Sequence, residues 1–307
     1  MLFQVIADAL FMRGNGLLEA GQPRRALPHL ALAARLASSN AGYFGAAALA
    51  ASKAGEVDAA VRHCERALQL DPNLEPVHNL LFSLFLHGEP YSAVLERIHR
   101  HLRPRTYIEI GIEHGNSLRL VAPETLALGV DPQPQLRFAP GPNVRVFAET
   151  SDDFFARRDV RAELGGLPVD LAFIDGLHQF EYALRDFVNL ERLCTPRSTI
   201  LIDDCFPHDR RTAERERHIT FWSGDIWKVV VLLKKYRPDL SIHTVATPPT
   251  GMCIVRNLDP GSRFLADNLP RLVDEFMKLD YGYLAKGRGE KLNLFPNDWE
   301  KIRGLLG

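Results

Sequence analysis

Two short apolar runs that end in charged residues decide the fold of this chain: FIDGLH at Phe173–His178 and LIDD at Leu201–Asp204. Each run is too short and too rich in strand-forming residues to be anything but a buried β-strand. In an open parallel sheet, the residues just past the carboxyl ends of neighbouring strands meet in one crevice. The sequence therefore predicts that three carboxylates and one imidazole converge there. These side chains are Asp175, His178, Asp203 and Asp204.

The chemistry of this group is that of a metal site with a neighbouring base. Three carboxylates are the hard oxygen ligands that Mg²⁺ or a similar ion prefers. His178 follows the first carboxylate by three residues and can take a proton from a metal-bound hydroxyl. Each residue also has a purely structural interpretation, because an Asp after a strand is often the N-cap of the next helix and His178 can be an ordinary surface residue. The combination favours the metal and base interpretation.

The bulk composition bounds the size, the location and the partners of the protein. At 307 residues the chain is long enough for about two domains. Its net charge of -1 gives no overall field that attracts nucleic acid or an anionic membrane, so neither partner is expected. The apolar run at the N-terminus contains Asp8 and lacks a basic leader, which predicts a first helix rather than a signal peptide. No transmembrane segment is expected.

The cysteines predict a cytoplasmic protein. They are widely scattered without a CxxC pair, which argues against a zinc site and against a disulfide framework. This usage fits a reducing compartment. The four residues are Cys64, Cys194, Cys205 and Cys253.

An internal repeat covers the first third of the chain. Gly21, Gly55 and Gly88 are spaced by 34 and then 33 residues, and an alanine follows each glycine by five positions. The first two copies share another alanine, twelve positions after the glycine. Small residues at fixed offsets let helices approach closely, so the unit is predicted to be two antiparallel helices. The alanines are Ala26, Ala60 and Ala93, with Ala33 and Ala67 at the second offset.

The repeat resembles tetratricopeptide repeats over roughly residues 5 to 100, with Ala20–Gln22 and Ala54–Glu56 as the turns between helices. The third copy carries Arg100 where the alanine should be, and Pro104 soon follows, so this copy is expected to become a capping helix. Two roles stay open. The repeats bind a protein partner or self-associate, or they form an all-helical appendage that only dimerises or shields the catalytic domain.

From Tyr107 onward the pattern changes to strand, turn and helix. It predicts an α/β fold with a Rossmann-like, mostly parallel sheet and an antiparallel edge pair, preceded by the all-α repeat domain. The tail is predicted to be helical with a break at Lys286–Gly289. The predicted domains are residues 1–100, 101–260 and 261–307. The predicted strands are Tyr107–Ile110, Leu126–Val130, Val144–Phe147, Leu171–Ile174, Thr199–Ile202, Ser241–Val245 and Met252–Val255.

The first strand leads into a glycine turn, EIGIEHGNS at Glu109–Ser117, and the second ends in Asp131, 20 residues after Gly111. Gly111 and Gly115 allow the backbone to turn tightly against a ligand, while Asp131 can accept both ribose hydroxyls. The motif is not GxGxxG, because Ser117 stands at the third position. A nucleoside cofactor without a phosphate bridge is therefore favoured, namely S-adenosylmethionine. A flavodoxin-like or NAD-binding sheet stays open as an alternative.

With this motif the chain resembles the class I methyltransferases. The resemblance implies that Glu109 lies near the cationic methionyl portion of the cofactor and Asp131 at the ribose. It places the residues after the third strand near the adenine. The implied cofactor-binding residues are Glu109, Gly111, Glu113, Gly115, Ser117, Asp131, Thr150, Ser151 and Asp152.

Within that family, the acidic residues are similar to those of the cation-dependent O-methyltransferases. The catechol type has a lysine three residues after its first metal ligand, whereas this chain has His178, as in the sugar-modifying type related to macrocin O-methyltransferase. The segment Trp222–Lys228 also resembles that type. The resemblance implies methylation of a hydroxyl of a sugar or related diol in a glycan or secondary metabolite, with Mg²⁺ or Mn²⁺. It assigns the metal to Asp175, Asp203 and Asp204, and the base to His178.

The segment Cys205–Trp227 is long and charged, which suits a lid over the acceptor. Either of its tryptophans, Trp222 and Trp227, can stack on a sugar face or pack against the sheet. Asp225 and Lys228 can likewise be functional or an ordinary surface pair. Its charged stretch Arg210–Arg217 is predicted to be a solvated helix.

Two rival functions stay open. The chain can be an interaction protein whose repeats bind a partner and whose methyltransferase-like domain binds cofactor without turnover or modifies a docked protein. The second rival comes from the cephalosporin hydroxylase-like proteins, which share these motifs without a settled role in methyl transfer. The cofactor that travels with the purified protein distinguishes these functions.

Overall fold

The computed structural model describes residues 2–219 and 221–307. These residues form two compact units. The first unit comprises residues 2–87 with 218–219 and 221, and the second comprises residues 88–217 and 222–307.

The first unit is built from paired helices, as the repeat predicts. Gly21 and Gly55 lie in the turns between partners with φ of +70° and +82°, values that a glycine adopts without steric cost. The repeated alanines at both offsets in the first two copies are fully buried where the helices pack, which is why small residues recur there. Its helices are α1 (Leu2–Glu19), α2 (Pro23–Leu36), α3 (Ala41–Ala54), α4 (Val57–Leu70) and α5 (Glu75–Ser83).

The second unit contains one sheet of eight strands in the order β3-β2-β1-β4-β5-β7-β6-β8. Neighbours among β1 to β5 are parallel, whereas β7 is antiparallel to both β5 and β6. This confirms the predicted fold class. The strands are β1 (Thr106–Ile110), β2 (Leu126–Val130), β3 (Val144–Phe147), β4 (Leu171–Ile174), β5 (Thr199–Ile202), β6 (Ser241–Val245), β7 (Met252–Arg256) and β8 (Leu294–Phe295).

The tail contributes a strand that the sequence pattern does not predict. The two residues of β8 pair in parallel with β6 at Thr244 and Val245, so the antiparallel pair lies inside the sheet rather than at its edge. Two residues are too few to show an alternation of apolar and polar side chains. The rest of the tail is largely helical as predicted, and the break spans only Lys286 and Gly287 before a further helical turn.

Helices lie between β3 and β4, between β4 and β5 and between β5 and β6, whereas the link from β1 to β2 contains only a 3-10 turn at Leu118–Leu120 and the link from β2 to β3 contains no helix among the described residues. None of the helices among the described residues is both long and apolar enough to cross a membrane. The helices of the second unit are α6 (Tyr91–Leu102), α7 (Ser151–Arg157), α8 (Val160–Glu163), α9 (Phe180–Glu191), α10 (Trp227–Tyr236), α11 (Phe264–Met277), α12 (Tyr281–Ala285), α13 (Arg288–Lys291) and α14 (Trp299–Leu306).

The centre of the sheet is buried on both faces. Every residue of β1, β4 and β5 is buried, which is the usual state of parallel strands and explains their continuous apolar sequences. Ile110 pairs with Ile174, and Ile174 pairs with Ile202, so these three strands end level with one another. The residues that follow them are therefore brought side by side.

Candidate active site

The glycine turn after β1 lies directly against the residue that follows β4. Gly111 has φ +84°, and a Cβ placed on it would lie 2.1 Å from the carbonyl oxygen of Asp175. Gly115 has φ +73° and is packed against the side chains of Leu136 and Phe138. Only glycine fits these two positions. The turn is therefore shaped by close backbone approach, as the motif predicts.

Glu109 is a fully buried carboxyl group at the floor of this turn. The hydroxyl of Tyr107 donates a hydrogen bond to its Oε2 over 2.7 Å, and the hydroxyl of Ser117 donates to its Oε1. Burial raises the pKa of Glu109 to about 8, with a contribution from Asp175, although the two hydroxyl donors lower it. A cationic group bound next to Glu109 would offset the cost of this burial.

Asp131, at the end of β2, holds the glycine turn in place. Its Oδ2 accepts hydrogen bonds from the backbone N–H groups of Ile112 and Glu113 over 3.0 and 2.9 Å, and its Oδ1 accepts one from Gln133 over 2.7 Å. Glu113 has φ +40°, a left-handed conformation that these bonds help to maintain. A carboxylate offers about four acceptor positions, so Asp131 keeps capacity for a ligand hydroxyl.

The residues after β3 cap the next helix. The side chain of Thr150 accepts a hydrogen bond from the backbone N–H of Asp153 over 3.1 Å and so begins α7. Asp152 forms a bidentate ion pair with Arg185 over 2.8 and 2.7 Å. Ser151 lies between them at the first position of α7. The structure therefore gives Thr150 and Asp152 structural partners, which the sequence did not predict.

Three side chains lie close enough together to hold one metal ion. The donor atoms of Asp175, His178 and Asp204 lie within 4.8 Å of one another. Nε2 of His178 is 3.1 Å from Asp204 Oδ2 and 3.5 Å from Asp175 Oδ1. Asp204 has φ +58°, a left-handed conformation rare outside glycine and common at functional sites. We call these three residues the acid–imidazole cluster.

Asp203, the remaining predicted ligand, is not part of the acid–imidazole cluster. Its side chain is buried, and its Oδ1 has no hydrogen-bond partner among the described residues. Burial, together with the charges of Asp175 and Asp204, raises the pKa of Asp203 well above its ordinary value. A buried carboxyl oxygen without a partner is costly and calls for a ligand or ion.

His178 is fixed by the segment that follows β5. Its ring stacks on Trp222 with centroids 5.0 Å apart and planes 18° apart, and its Nδ1 lies 3.2 Å from the Trp222 carbonyl oxygen. Gly224, with φ +64°, packs so closely that a Cβ there would overlap the carbonyl oxygen of His178. Because a carbonyl only accepts, Nδ1 carries the hydrogen and Nε2 faces the carboxylates.

Burial lowers the pKa of His178, but its neighbours outweigh this effect. The charge of Asp204, the hydrogen bond and charge of Asp175 and the Trp222 carbonyl raise the pKa to about 10. The imidazole beside these two carboxyl groups is therefore cationic at neutral pH. A ligand that offsets their charge would return it to the neutral form.

Asp225 links the segment that follows β5 to helices α9 and α10. Its carboxylate accepts hydrogen bonds from the Phe180 backbone N–H over 2.8 Å, and from Arg215 and Lys228 over 2.9 Å each. Arg215 also pairs with both carboxylate oxygens of Glu181. Asp225 and Lys228 are both buried, so the interpretation of an ordinary surface pair is wrong.

Neither tryptophan of the segment offers a free ring face for a sugar, and the charged stretch Arg210–Arg217 is not the predicted helix. Trp227 is 1% exposed, so it packs inside the protein and does not offer a face to a sugar. Trp222 is occupied by its stack on His178. The stretch Arg210–Arg217 forms turns rather than the predicted solvated helix. Arg215 explains this difference, because its guanidinium is drawn into the ion pairs with Glu181 and Asp225.

Sequence reasoning missed two tyrosines near the carboxyl groups. Tyr91 stacks on Phe173, and burial together with the charges of Asp203, Asp175, Asp204 and Glu109 raises its pKa. It belongs to α6, far from the strand ends in sequence, and no motif marks it. Tyr107 donates its hydrogen bond to Glu109 from two residues earlier on the same face of β1. The alternation of a strand was the signal that could have found it.

Comparison with known proteins identifies the reaction class of this part of the chain. Residues 108–205, from β1 to just past β5, match the model of a family described as "Methyltransferase domain". This segment contains the glycine turn, Asp131 and all four residues of the two strand ends. The chain therefore carries a class I methyltransferase domain that uses S-adenosylmethionine. No curated protein matches the chain.

Solved structures with a similar fold share little sequence with the chain. They include the O-methyltransferase TomG from Streptomyces achromogenes, involved in tomaymycin synthesis and solved with SAM (14% identity, 66% of this chain and 90% of that chain, TM-score 0.40). Others are cofactor-bound Rv0187 from MTB (16%, 62% and 91%, 0.41) and SAH-bound PaMTH1 from Podospora anserina (14%, 55% and 78%, 0.42). At these values the likenesses carry no argument about function.

Proposed function

We propose that the protein is an O-methyltransferase that transfers the methyl group of S-adenosylmethionine to a hydroxyl of a sugar or related diol, with Mg²⁺ or Mn²⁺ bound at the strand ends. One observation supports this most strongly. The imidazole of His178 is fixed by Trp222 so that Nε2 faces Asp175 and Asp204, beside the glycine turn of a methyltransferase domain.

The residues around the glycine turn fit S-adenosylmethionine. Gly111 leaves no room for a side chain, so a ligand can approach the backbone there. Glu109 is a buried acid that a cationic amino group would stabilise, and Asp131 keeps an acceptor position for a ribose hydroxyl. We assign the methionyl end to Glu109 and the ribose to Asp131. The adenine is assigned to the region of Ser151.

The strand ends fit a divalent cation. Asp175 and Asp204 supply hard oxygen donors within 4.8 Å of each other. Asp203, which directly precedes Asp204, has a buried Oδ1 without a hydrogen-bond partner among the described residues. The charges of Asp175 and Asp204 act on this carboxyl group and raise its pKa. We assign the cation to Asp175, Asp203 and Asp204, with His178 as the neighbouring base.

The residues of this chain then carry out the proton transfer that accompanies methyl transfer. A divalent cation bound there would lower the pKa of a hydroxyl held beside it. It would also offset the negative charge of Asp175 and Asp204, and would thereby lower the pKa of His178 so that the imidazole can act as a base. His178 accepts the proton of the acceptor hydroxyl at Nε2 and keeps its other hydrogen on the Trp222 carbonyl. Asp204 holds the resulting imidazolium. The segment from Cys205 to Trp227 keeps the imidazole in place and limits the access of water.

The resemblance to the sugar-modifying type supports a sugar or related diol as the acceptor. The lysine of the catechol type is absent, and His178 occupies its place. A vicinal diol offers two neighbouring oxygens to one cation, which fixes the orientation of the hydroxyl that reacts. The acceptor is thus expected to carry adjacent hydroxyl groups.

A methyl-transfer screen tests this proposal. The purified protein is incubated with S-adenosylmethionine and a panel of glycosides and catechols, and S-adenosylhomocysteine is measured by mass spectrometry. We expect turnover of a diol-bearing glycoside that chelator abolishes and Mg²⁺ or Mn²⁺ restores. Turnover that is unchanged in chelator would contradict the metal assignment, and exclusive turnover of catechols would contradict the sugar assignment.

A further inference from the structure

One face of the sheet carries both strand-end carboxyl groups, Asp175 and Asp203. Residues two apart along a strand share a face of the sheet. The backbone N–H groups of Asp175 and Asp203 donate to the carbonyls of Ile110 and Ile174 over 2.8 and 3.0 Å, so each residue continues its strand. Two residues earlier these strands carry Phe173 and Leu201, which are buried in one core cluster with residues of α6. Both carboxyl groups therefore lie on the face that α6 covers.

Helix α6 begins next to these carboxyl groups. Its first residue is Tyr91, whose backbone N–H donates a hydrogen bond to the Pro248 carbonyl over 3.1 Å. The ring of Tyr91 stacks on Phe173 with centroids 6.4 Å apart and planes 28° apart. One backbone contact and one ring contact therefore fix Tyr91 beside the strand ends.

The hydroxyl of Tyr91 is a hydrogen-bond donor without an acceptor. Burial raises the pKa of Tyr91, and the charges of Asp203, Asp175 and Asp204 raise it further, so the hydroxyl keeps its proton. It has no hydrogen-bond partner among the described residues. Oδ1 of Asp203 is a buried acceptor that also lacks a partner in this part of the chain. A donor and an acceptor on the same face are thus both unpaired.

We propose that Tyr91 is a positioning residue for the cation: its hydroxyl donates a hydrogen bond to the Asp203 carboxylate and so orients that ligand. This inference rests on the proposed function, which assigns the cation to the strand ends. Carboxylates that bind metal ions are themselves held by hydrogen bonds from neighbouring groups. A carboxylate has two oxygens and about four acceptor positions, so Asp203 can serve both the hydroxyl and the cation.

The cofactor is a less suitable partner for this hydroxyl. Glu109, to which the methionyl end is assigned, already accepts hydrogen bonds from the hydroxyls of Tyr107 and Ser117. Its charge also acts on Tyr91 less strongly than that of Asp203. Tyr91 therefore belongs to the metal end of the site.

Titration of the full chain with Mn²⁺, measured by calorimetry, tests the proposal without an acceptor. Tyr91→Phe removes the hydroxyl and keeps the ring that stacks on Phe173. We expect it to weaken Mn²⁺ binding by about 10- to 100-fold, the usual effect of losing a group that holds a metal ligand. The affinity for S-adenosylmethionine should stay unchanged.

Tyr236→Phe is the matched control. The hydroxyl of Tyr236 donates to Oε2 of Glu275 over 2.8 Å, between α10 and α11. This variant also loses one tyrosine hydroxyl, and its Mn²⁺ affinity should equal that of the wild type. In thermal melts, Tyr91→Phe should not lower the melting temperature without Mn²⁺, because its hydroxyl is unpaired. It should reduce the rise in melting temperature that Mn²⁺ produces.

A double-mutant cycle separates positioning from a merely structural role. In the background of Asp203→Ala the proposed acceptor is gone, so Tyr91→Phe should have no further effect on Mn²⁺ binding. A structural role of Tyr91 would instead weaken Mn²⁺ binding by the same factor in both backgrounds, and that result would overturn the proposal.

The failure of this inference is distinguishable from that of the proposed function. Equal Mn²⁺ binding by Tyr91→Phe and the wild type would overturn the inference alone. Weaker binding of S-adenosylmethionine by Tyr91→Phe, with unchanged Mn²⁺ binding, would also overturn it and would place Tyr91 at the cofactor. A wild-type chain that binds no Mn²⁺ would contradict the metal assignment itself, and this inference with it.

Discussion

At the scale of single residues, the carbonyl of Trp222 decides which nitrogen of His178 meets the carboxylates. Nδ1 lies 3.2 Å from that carbonyl, so Nε2 is the atom that faces Asp204 at 3.1 Å. A base must present an unprotonated nitrogen toward the group that it deprotonates. The stacked tryptophan therefore acts on the proposed chemistry by orientation, without touching the acceptor.

Substitution of His178 is expected to lower turnover without loss of ligand binding. His178→Ala removes the proton acceptor but leaves the three carboxylates, so turnover should fall by roughly 10²- to 10⁴-fold, the usual contribution of a positioned general base. Calorimetry should show S-adenosylmethionine and Mn²⁺ still binding. His101→Ala, at an exposed position of α6, is the control and should change neither. Full turnover by His178→Ala would remove the residue from the mechanism.

Asp203 is expected to lower the stability of the metal-free protein and to contribute to metal binding. Its buried Oδ1 lacks a partner among the described residues, so the carboxyl group is costly while no ligand occupies it. Asp203→Asn should raise the melting temperature measured without metal and weaken Mn²⁺ binding by at least about tenfold, because a three-carboxylate site loses charge and geometry. Thermal melts with and without Mn²⁺ check both effects. A lower melting temperature with unchanged Mn²⁺ binding would show that Asp203 is only structural.

The site could be predicted from sequence where its residues follow strands. The runs at Phe173–His178 and Leu201–Asp204 are short and apolar, and the ends of parallel strands meet by geometry. Asp203 lies outside the acid–imidazole cluster although it directly precedes Asp204, and no propensity predicts the left-handed conformation of Asp204. Tyr91 and the carbonyl of Trp222 reach the site from outside the strands, so no spacing in the sequence reveals them.

At the scale of elements, the seven longer strands could be predicted almost to the residue. Burial on both faces makes β1, β4 and β5 continuous apolar runs, whereas β3 and β6 are only partly buried and mix apolar with polar residues. Short elements such as β8 carry no such signal. The prediction of a helix at Arg210–Arg217 was wrong for another reason. Its charges suggested a solvated helix, but Arg215 is drawn into ion pairs with Glu181 and Asp225 that exist only in the tertiary structure.

Loss of these ion pairs is expected to loosen the segment that holds Trp222. Arg215→Met removes the hydrogen bonds to Glu181 and Asp225 while Asp225 keeps those from Phe180 and Lys228, so α9 and α10 should remain in place. The loss should destabilise the segment by about 1 to 3 kcal/mol. Limited proteolysis should then cut between residues 205 and 217 faster than in the wild type.

Arg210→Met is the matched control for that experiment, since Arg210 is an exposed arginine of the same stretch. It should leave the rate of proteolysis unchanged. The same rate for both variants and the wild type would mean that Arg215 does not hold the segment. A lowered turnover of Arg215→Met with unchanged binding of S-adenosylmethionine would further link the segment to the position of His178.

At the scale of the whole molecule, the change of period near Tyr107 predicts a helical part and an α/β part, and the structure has one compact unit of each kind. The division into 1–100, 101–260 and 261–307 remains a prediction. Within the second unit, however, α6 belongs to the core of the sheet. Val94, Leu95 and Ile98 of α6 are buried in one cluster with Tyr107 and Leu171.

This packing predicts where the chain can be shortened. A chain that begins at Gly88 keeps α6 and should stay soluble, fold cooperatively and bind S-adenosylmethionine as the full chain does. A chain that begins at Leu102 loses the three buried residues of α6, each of which contributes about 1.5 to 3 kcal/mol when fully buried. That loss is comparable to the whole stability of a typical domain, so this chain should aggregate or melt at a much lower temperature. Calorimetry and thermal melts compare the two, and equal behaviour would mean that α6 is dispensable for the methyltransferase domain.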